Sequence, residues 1–343
     1  MRAAVYKSAK APLEIREVAP PHVHDGEVLV QVARVGICGS DLHVKEYGGA
    51  EEGVIFGHEF SGVISALGKG TQGWSVGDRV VSLPIHNCGT CAPCQTGNVG
   101  LCENIAFTGF SHEHSGAYAE YTAAPVRTLH RMPDEVDFAS AAMVEPLAVS
   151  RRAVSKAPIH SESVVLVIGT GPIGAGVATF AKLAGAKRII VSEMSAERRA
   201  LALEMGASDV IDPAAGDLAE QLRTIAGRLP DVVFECVGVP GLIQQAIEVC
   251  DYEASIVVVG VCFQEDQFRP SLALSHELTV KFSNCYTHQD FAAVLGDLAS
   301  GRLDPSAMHT GTLALDQVPE AFEKLISSKA GCKTLIDPSG GKL

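Results

Sequence analysis

Four cysteines, Cys88, Cys91, Cys94 and Cys102, fall within fifteen residues in a Cys-x2-Cys-x2-Cys-x7-Cys array. Such short spacings let one loop gather four thiolates tetrahedrally around a single zinc ion. Gly89, Pro93, Gly97 and Gly100 supply the turns that loop needs. An all-thiolate shell has no open position, so a structural zinc is expected there. A second set is dispersed: Cys38 in Gly36-Ile-Cys-Gly-Ser-Asp-Leu-His43, His58 in Gly57-His-Glu-Phe-Ser-Gly62, and Glu145 in Val144-Glu-Pro-Leu147. Each alone has an ordinary structural explanation. Cys38, His58 and one or two carboxylates together make a mixed sulfur, nitrogen and oxygen set, which would bind zinc and leave room for water or substrate.

A third constellation concerns phosphate. Gly169, Gly171 and Gly174 have the GxGxxG spacing, with Pro172 and Ile173 between the last two. The string is weak evidence alone, but here the apolar run Val164 to Ile168 precedes it and a helical stretch, Ala175 to Leu183, follows. In that setting the glycines give a tight turn, close approach of a pyrophosphate, and close packing of helix on strand. Glu193 ends the next strand, 24 residues after Gly169, where an acid can bind both ribose hydroxyls. Its carboxylate would repel a 2'-phosphate, which favours NAD over NADP. Arg198 is the nearby cation that could contact an adenosine phosphate.

The elements around these residues differ between the two parts of the chain. Up to about residue 150 short glycine-broken strands recur, as in Gly26 to Gly36 and Gly77 to Ser82, an all-β reading. From Val164 apolar strands alternate with helical stretches: Val164 to Ile168, Arg188 to Ser192, Val232 to Cys236 and Ser255 to Gly260. That alternation predicts a parallel, doubly wound sheet. A helix is expected over Phe291 to Leu298 and a closing strand near Lys333 to Ile336.

The 343 residues exceed the usual size of one core, so two domains are the natural expectation. A net charge of -13, with no Lys/Arg run longer than two, argues against nucleic acid as a partner. The N-terminus has no apolar core of a secretory signal, and a cytoplasmic location is expected. Val164 to Ala181 is uncharged over 18 positions, but its four glycines and Pro172 speak against a membrane span. Ten cysteines in a reducing compartment point to metal rather than to disulfides.

The runs CGSDLH from Cys38, GHEFSG from Gly57, the four-cysteine loop, VEPLAV from Val144 and GTGPIG from Gly169 stand in a recognisable order. With them the chain resembles the zinc-dependent medium-chain dehydrogenases, in particular the polyol branch of 2,3-butanediol, sorbitol and threonine dehydrogenases. The resemblance runs from Met1 to Ile336. It implies α/β plus β architecture: a GroES-like, mostly-β catalytic domain (residues 1–150), an inserted Rossmann NAD-binding domain (151–288), and a C-terminal return to the catalytic domain (289–343).

The resemblance further implies that Cys38, His58 and Glu145 are ligand candidates of a catalytic zinc, with Glu59 an alternating ligand or near neighbour, making two zinc ions per chain. Glu145 stands where other branches use cysteine. Asp41 resembles the acid that orients the imidazole of His58; a turn-forming role is its alternative. Ser40 and His43 match the family's proton relay, and Ile173, Val259, Gly260, Val261 and Ser283 lie near the cofactor by the same analogy. The implied reaction is hydride transfer between a secondary alcohol or vicinal diol and NAD, in a homodimer or homotetramer. A sugar polyol or threonine is the alternative substrate, and a non-enzymatic NAD-binding protein the alternative class. The stretch between Tyr47 and Gly57 is shorter than usual in butanediol-type enzymes, which leaves the substrate open.

Overall fold

The computed structural model describes residues 1–328 and 331–343. Two compact units divide the chain: Met1–Glu145 with Thr287–Leu343, and Pro146–Tyr286.

The first unit is built on a seven-stranded sheet. Its path runs His309–Ala314, Lys333–Asp337, Glu27–Gly36, Glu59–Leu67, Arg79–Ser82 and Leu129–Arg131, with Tyr121–Pro125 also paired to Glu27–Gly36. The strand Glu27–Gly36 is rich in valine and alternates, with Val28, Val30 and Val32 buried between half-buried Leu29, Gln31 and Arg34. β-branched side chains at every second position suit a pleated, half-buried surface. This strand is antiparallel to Glu59–Leu67, and Gly36 stands opposite Glu59. The return strand Lys333–Asp337 pairs with the same end, Leu335 opposite Gly36. Three strands distant in sequence therefore converge where Cys38 leaves the sheet.

Beside the sheet lies an aromatic core. Phe322, from the helix Val318–Ser328, stacks on Phe56 with ring centroids 6.3 Å apart and meets Tyr118 edge-on at 6.1 Å. All three rings are fully buried.

The all-β reading of the first 150 residues needs correction, because the helices Gly39–Tyr47, Phe138–Ala142 and Val144–Val154 interrupt the strands. Local capping explains two of them. Asp41 reaches back to the Cys38 N–H at 3.3 Å, and Asp137 accepts from the Ser140 N–H at 2.9 Å, satisfying donors that a helix N-terminus leaves open. These helices are short and begin among glycines or alanines, so the apolar period is faint.

The second unit is a Rossmann fold. Its six strands lie in the order Asp209–Ile211, Arg188–Ser192, Val164–Ile168, Val232–Glu235, Ser255–Val258 and Thr279–Phe282, every neighbouring pair parallel. The central strand Val164–Ile168 is buried throughout, as expected for a strand covered on both faces. The four inner strands match the sequence expectation to within two residues. The outer two carry no such run: Asp209–Ile211 has three residues, and Thr279–Phe282 is largely exposed.

Among the described residues no helix is long and apolar enough to cross a membrane. The uncharged run from Val164 is a strand, a glycine turn and the helix Pro172–Leu183.

Truncating the central aromatic tests this packing: Phe322→Ala should cost about 3–5 kcal/mol, read as a lower midpoint in urea unfolding at unchanged slope.

Candidate active site and metal centres

Cys38 caps the helix Gly39–Tyr47, His58 immediately precedes the strand Glu59–Leu67, and Glu59 opens it. One donor atom from each of Cys38, His58 and Glu59 lies within 4.8 Å of the other two. His58 and Glu59 are buried, whereas Cys38 is half-buried. Glu145, half-buried in the first turn of Val144–Val154, does not belong to that triplet. The Ser40 hydroxyl donates to the Cys38 sulfur at 3.2 Å, and His43 follows one turn later on the same helix. The Phe110 ring lies 5.4 Å from that of His58 and gives the group an apolar wall.

The electrostatics favour a cation. Burial by itself disfavours a charged imidazole, but the Asp41 carboxylate and the Cys38 sulfur outweigh it and raise the His58 pKa well above 6.5. Asp41 Oδ1 and His58 Nδ1 are 3.3 Å apart, within ion-pair range. The pair is not aligned as a hydrogen bond, and neither atom has a hydrogen-bond partner among the described residues. A thiolate, an imidazole and a carboxylate with this environment are a borderline-soft donor set that fits zinc.

Two residues outside the expected set support these donors. The ammonium of Lys333 donates to both carboxylate oxygens of Glu59, at 2.7 and 2.6 Å, and to the Ile37 carbonyl at 3.1 Å. Both partners are 1% exposed. Burial alone would lower the Lys333 pKa, but the Glu59 charge beside it raises it. The Tyr118 hydroxyl donates to Asp41 Oδ2 at 2.6 Å. A sequence signal existed for Lys333, which shares the inward face of its strand with Leu335; a lysine there needs an acid partner. Tyr118 carried none.

The four-cysteine loop closes on itself. One sulfur each from Cys88, Cys91, Cys94 and Cys102 lies within 4.8 Å of the others. The sulfurs accept from amides: Cys102 from the N–H groups of Cys88 and Asn104 at 3.2 and 3.4 Å, Cys88 from the Cys91 N–H at 3.4 Å, and Cys94 from the Asn87 side chain at 3.3 Å. The Thr90 hydroxyl and then the Thr90 and Cys91 amides hold the Cys88 thiol down at about 5. A thiolate stabilised in this way is a ready metal ligand.

In the Rossmann unit Gly171 caps the helix Pro172–Leu183, the first helix after the central strand. Gly169 has φ +88, closed to most side chains, and a Cβ on Gly174 would come within 1.9 Å of the Gly169 carbonyl. A Cβ on Gly171 would meet nothing within 4 Å, so there the backbone faces open space. Amides at that helix start form an anion site of the kind that takes a pyrophosphate. Glu193 accepts from the Thr170 N–H at 2.8 Å and the Ser195 N–H at 2.9 Å, which fixes its carboxylate beside the glycine turn. The Ile173 carbonyl accepts from the Ser150 hydroxyl at 3.0 Å. Val259 and Gly260 donate to the Glu235 carbonyl, whose carboxylate accepts from Val237 and Gly238. Val261 is exposed, and the buried Ser283 hydroxyl has no hydrogen-bond partner among the described residues. Arg198 lies in the first turn of Ala196–Glu204, its N–H on the Ser195 hydroxyl at 3.4 Å.

Residues 24–134 match the family described as alcohol dehydrogenase GroES-like domain, and residues 172–300 the family described as zinc-binding dehydrogenase. A 2-dehydro-3-deoxy-L-galactonate 5-dehydrogenase of Pseudoalteromonas atlantica is 33% identical over 91% of this chain and 92% of its own. The (R,R)-butanediol dehydrogenase of Bacillus subtilis is 32% identical over 99% of this chain and 100% of its own. The chain belongs to the zinc-dependent medium-chain alcohol dehydrogenases. A zinc-binding dehydrogenase of Sinorhizobium meliloti, solved bound to NADP, superposes with a TM-score of 0.90 at 30% identity, covering 98% of this chain and 99% of that one. This medium-chain dehydrogenase is thus an enzyme of the polyol branch that uses zinc and a nicotinamide cofactor on a small-molecule alcohol.

In this dehydrogenase the Glu59 carboxylate depends on one cation. Lys333→Met leaves it buried without a partner and should destabilise the protein by about 3–5 kcal/mol, seen in chemical unfolding. Adding Glu59→Gln should recover most of the loss.

Proposed function

We propose that this dehydrogenase oxidises a secondary alcohol or vicinal diol of the 2,3-butanediol type with NAD, using a catalytic zinc held by Cys38 and His58, with Glu59 and Glu145 as further or exchanging carboxylate ligands. The observation that carries the reading is the compact cysteine, histidine and glutamate donor set. A zinc ion in such a site acts as a Lewis acid and lowers the pKa of an alcohol hydroxyl. A second zinc in the cage of Cys88, Cys91, Cys94 and Cys102 holds that loop closed.

The chain's own residues then handle position and proton. Phe110 gives carbon-bearing substrate an apolar surface beside His58. Ser40 would accept the alcohol proton as its own hydroxyl proton passes towards His43, which delivers a proton to solvent. Gly169, Gly171, Pro172, Ile173 and Gly174 seat the cofactor phosphates, and Val259, Gly260, Val261 and Ser283 border the rest of the dinucleotide. Glu193 accepts from the adenosine ribose hydroxyls with its remaining lone pairs, and Arg198 flanks that ribose. The fixed Glu193 carboxylate supports NAD, because a 2'-phosphate beside it would be repelled. The Sinorhizobium relative, bound to NADP, makes cofactor choice a direct comparison.

A second substrate reading, a sugar acid or polyol, is favoured by the Pseudoalteromonas relative, whose name specifies a sugar-acid dehydrogenase. A homodimer or homotetramer is supported by the open edge strand Thr279–Phe282, where Phe282 is 67% exposed. A cytoplasmic location belongs to the same proposal.

Zinc analysis should give two ions per chain, and NADH should form with vicinal diols in preference to sorbitol, sugar acids, simple secondary alcohols and threonine. Preference for a sugar acid would replace the diol reading; cofactor binding without turnover on any alcohol would remove both. His43→Ala should lower kcat by about 10²-fold at neutral pH and recover towards alkaline pH; an unchanged pH–rate profile rules the relay out. Light scattering should show an oligomer that Phe282→Asp dissociates.

A further inference from the structure

We propose that Tyr118 is a positioning residue for the catalytic metal: its hydroxyl fixes Asp41, and Asp41 sets the orientation of the His58 imidazole. The proposal rests on the reading of Cys38, His58 and Glu59 as the catalytic zinc site.

The tyrosine ring has one place to be. Gly57, the residue before His58, has φ +97, and a Cβ there would fall 2.4 Å from the Tyr118 ring, so the ring lies directly on the backbone that carries the histidine. Phe322 packs against the same ring edge-on, with centroids 6.1 Å apart. Backbone bonds from Tyr118 N–H to the Phe56 carbonyl at 2.9 Å and from Ala117 N–H to the Gly57 carbonyl at 2.8 Å tie the two segments together. Tyr118 therefore moves with His58.

With the ring so held, its hydroxyl reaches Asp41 Oδ2 at 2.6 Å, with the Gly36 carbonyl as a second, longer acceptor at 3.4 Å. The fully buried Asp41 receives one further bond on the same oxygen, from the Cys38 N–H at 3.3 Å. Two donors on Oδ2 fix the carboxylate and leave Oδ1 facing His58 Nδ1 at 3.3 Å. Burial, and then the Asp41 charge, keep the phenol protonated, so it remains a donor throughout the working pH range. Without the hydroxyl, Oδ2 keeps only the longer bond from Cys38, and the buried carboxylate gains freedom to turn. The imidazole then loses its fixed neighbour, which tunes both its direction and its basicity towards a metal.

The test is Tyr118→Phe, which keeps the ring and removes one oxygen. In the full-length protein, competition with a chelator should show the catalytic zinc bound about tenfold more weakly, with the zinc of the four-cysteine cage still retained as the sign of an intact fold. Cobalt substituted at the catalytic site should show shifted visible bands. In an Asp41→Asn background the same replacement should change affinity by less than about twofold, because the effect passes through Asp41. Unchanged zinc affinity and cobalt spectrum in Tyr118→Phe overturn the proposal, as does an equal loss with Asp41→Asn present. A wild-type chain that holds only the four-cysteine metal overturns the zinc-site reading itself, and this inference with it.

Discussion

The constraint on which the first unit depends is the cost of placing charge in a protein interior. Glu59 and Asp41 are carboxylates with essentially no access to water, each close to His58. Each isolated charge would cost several kcal/mol to bury. The fold meets that cost with dedicated partners: Lys333 across both oxygens of Glu59, and Tyr118 with the Cys38 amide on Asp41. The remaining unmatched potential lies at Cys38 and His58, where the proposed zinc would bring its own charge. Polar satisfaction here is thus what lets two carboxylates remain buried near His58.

Backbone geometry makes this possible. Gly36 and Glu59 are direct neighbours across two antiparallel strands, and a Cβ on Gly36 would strike the Glu59 carboxylate at 2.0 Å. The glycine lets the carboxylate cross its neighbour to reach Lys333. Gly174 does the same in the Rossmann unit, where its missing side chain lets the helix come down on the glycine turn. In both units close approach at one glycine converts regular strand pairing into a site.

Much of this was legible in the residues. The cysteine spacing and the glycine turn are local, so their chemistry can be read without a fold, and the inner strands of the parallel sheet announce themselves through continuous apolar runs. The edge strand Thr279–Phe282 could not be read in that way, since an exposed edge has no apolar face to show. The helix Gly39–Tyr47 was hidden for the opposite reason, a cap and a glycine that look like a turn. Tyr118 escaped because its role arises only when residues 36, 41 and 57 meet around it, and no spacing in the sequence records that meeting.

The ion pair between Glu59 and Lys333 joins positions 274 residues apart. During synthesis the first strands and their metal donors leave the ribosome long before the lysine is made. Throughout that interval Glu59 lacks the cation it faces in the folded protein, and the whole Rossmann unit is made between the two halves of the pair. The insertion thus makes the order of the chain itself a clock for when this buried acid can first be neutralised.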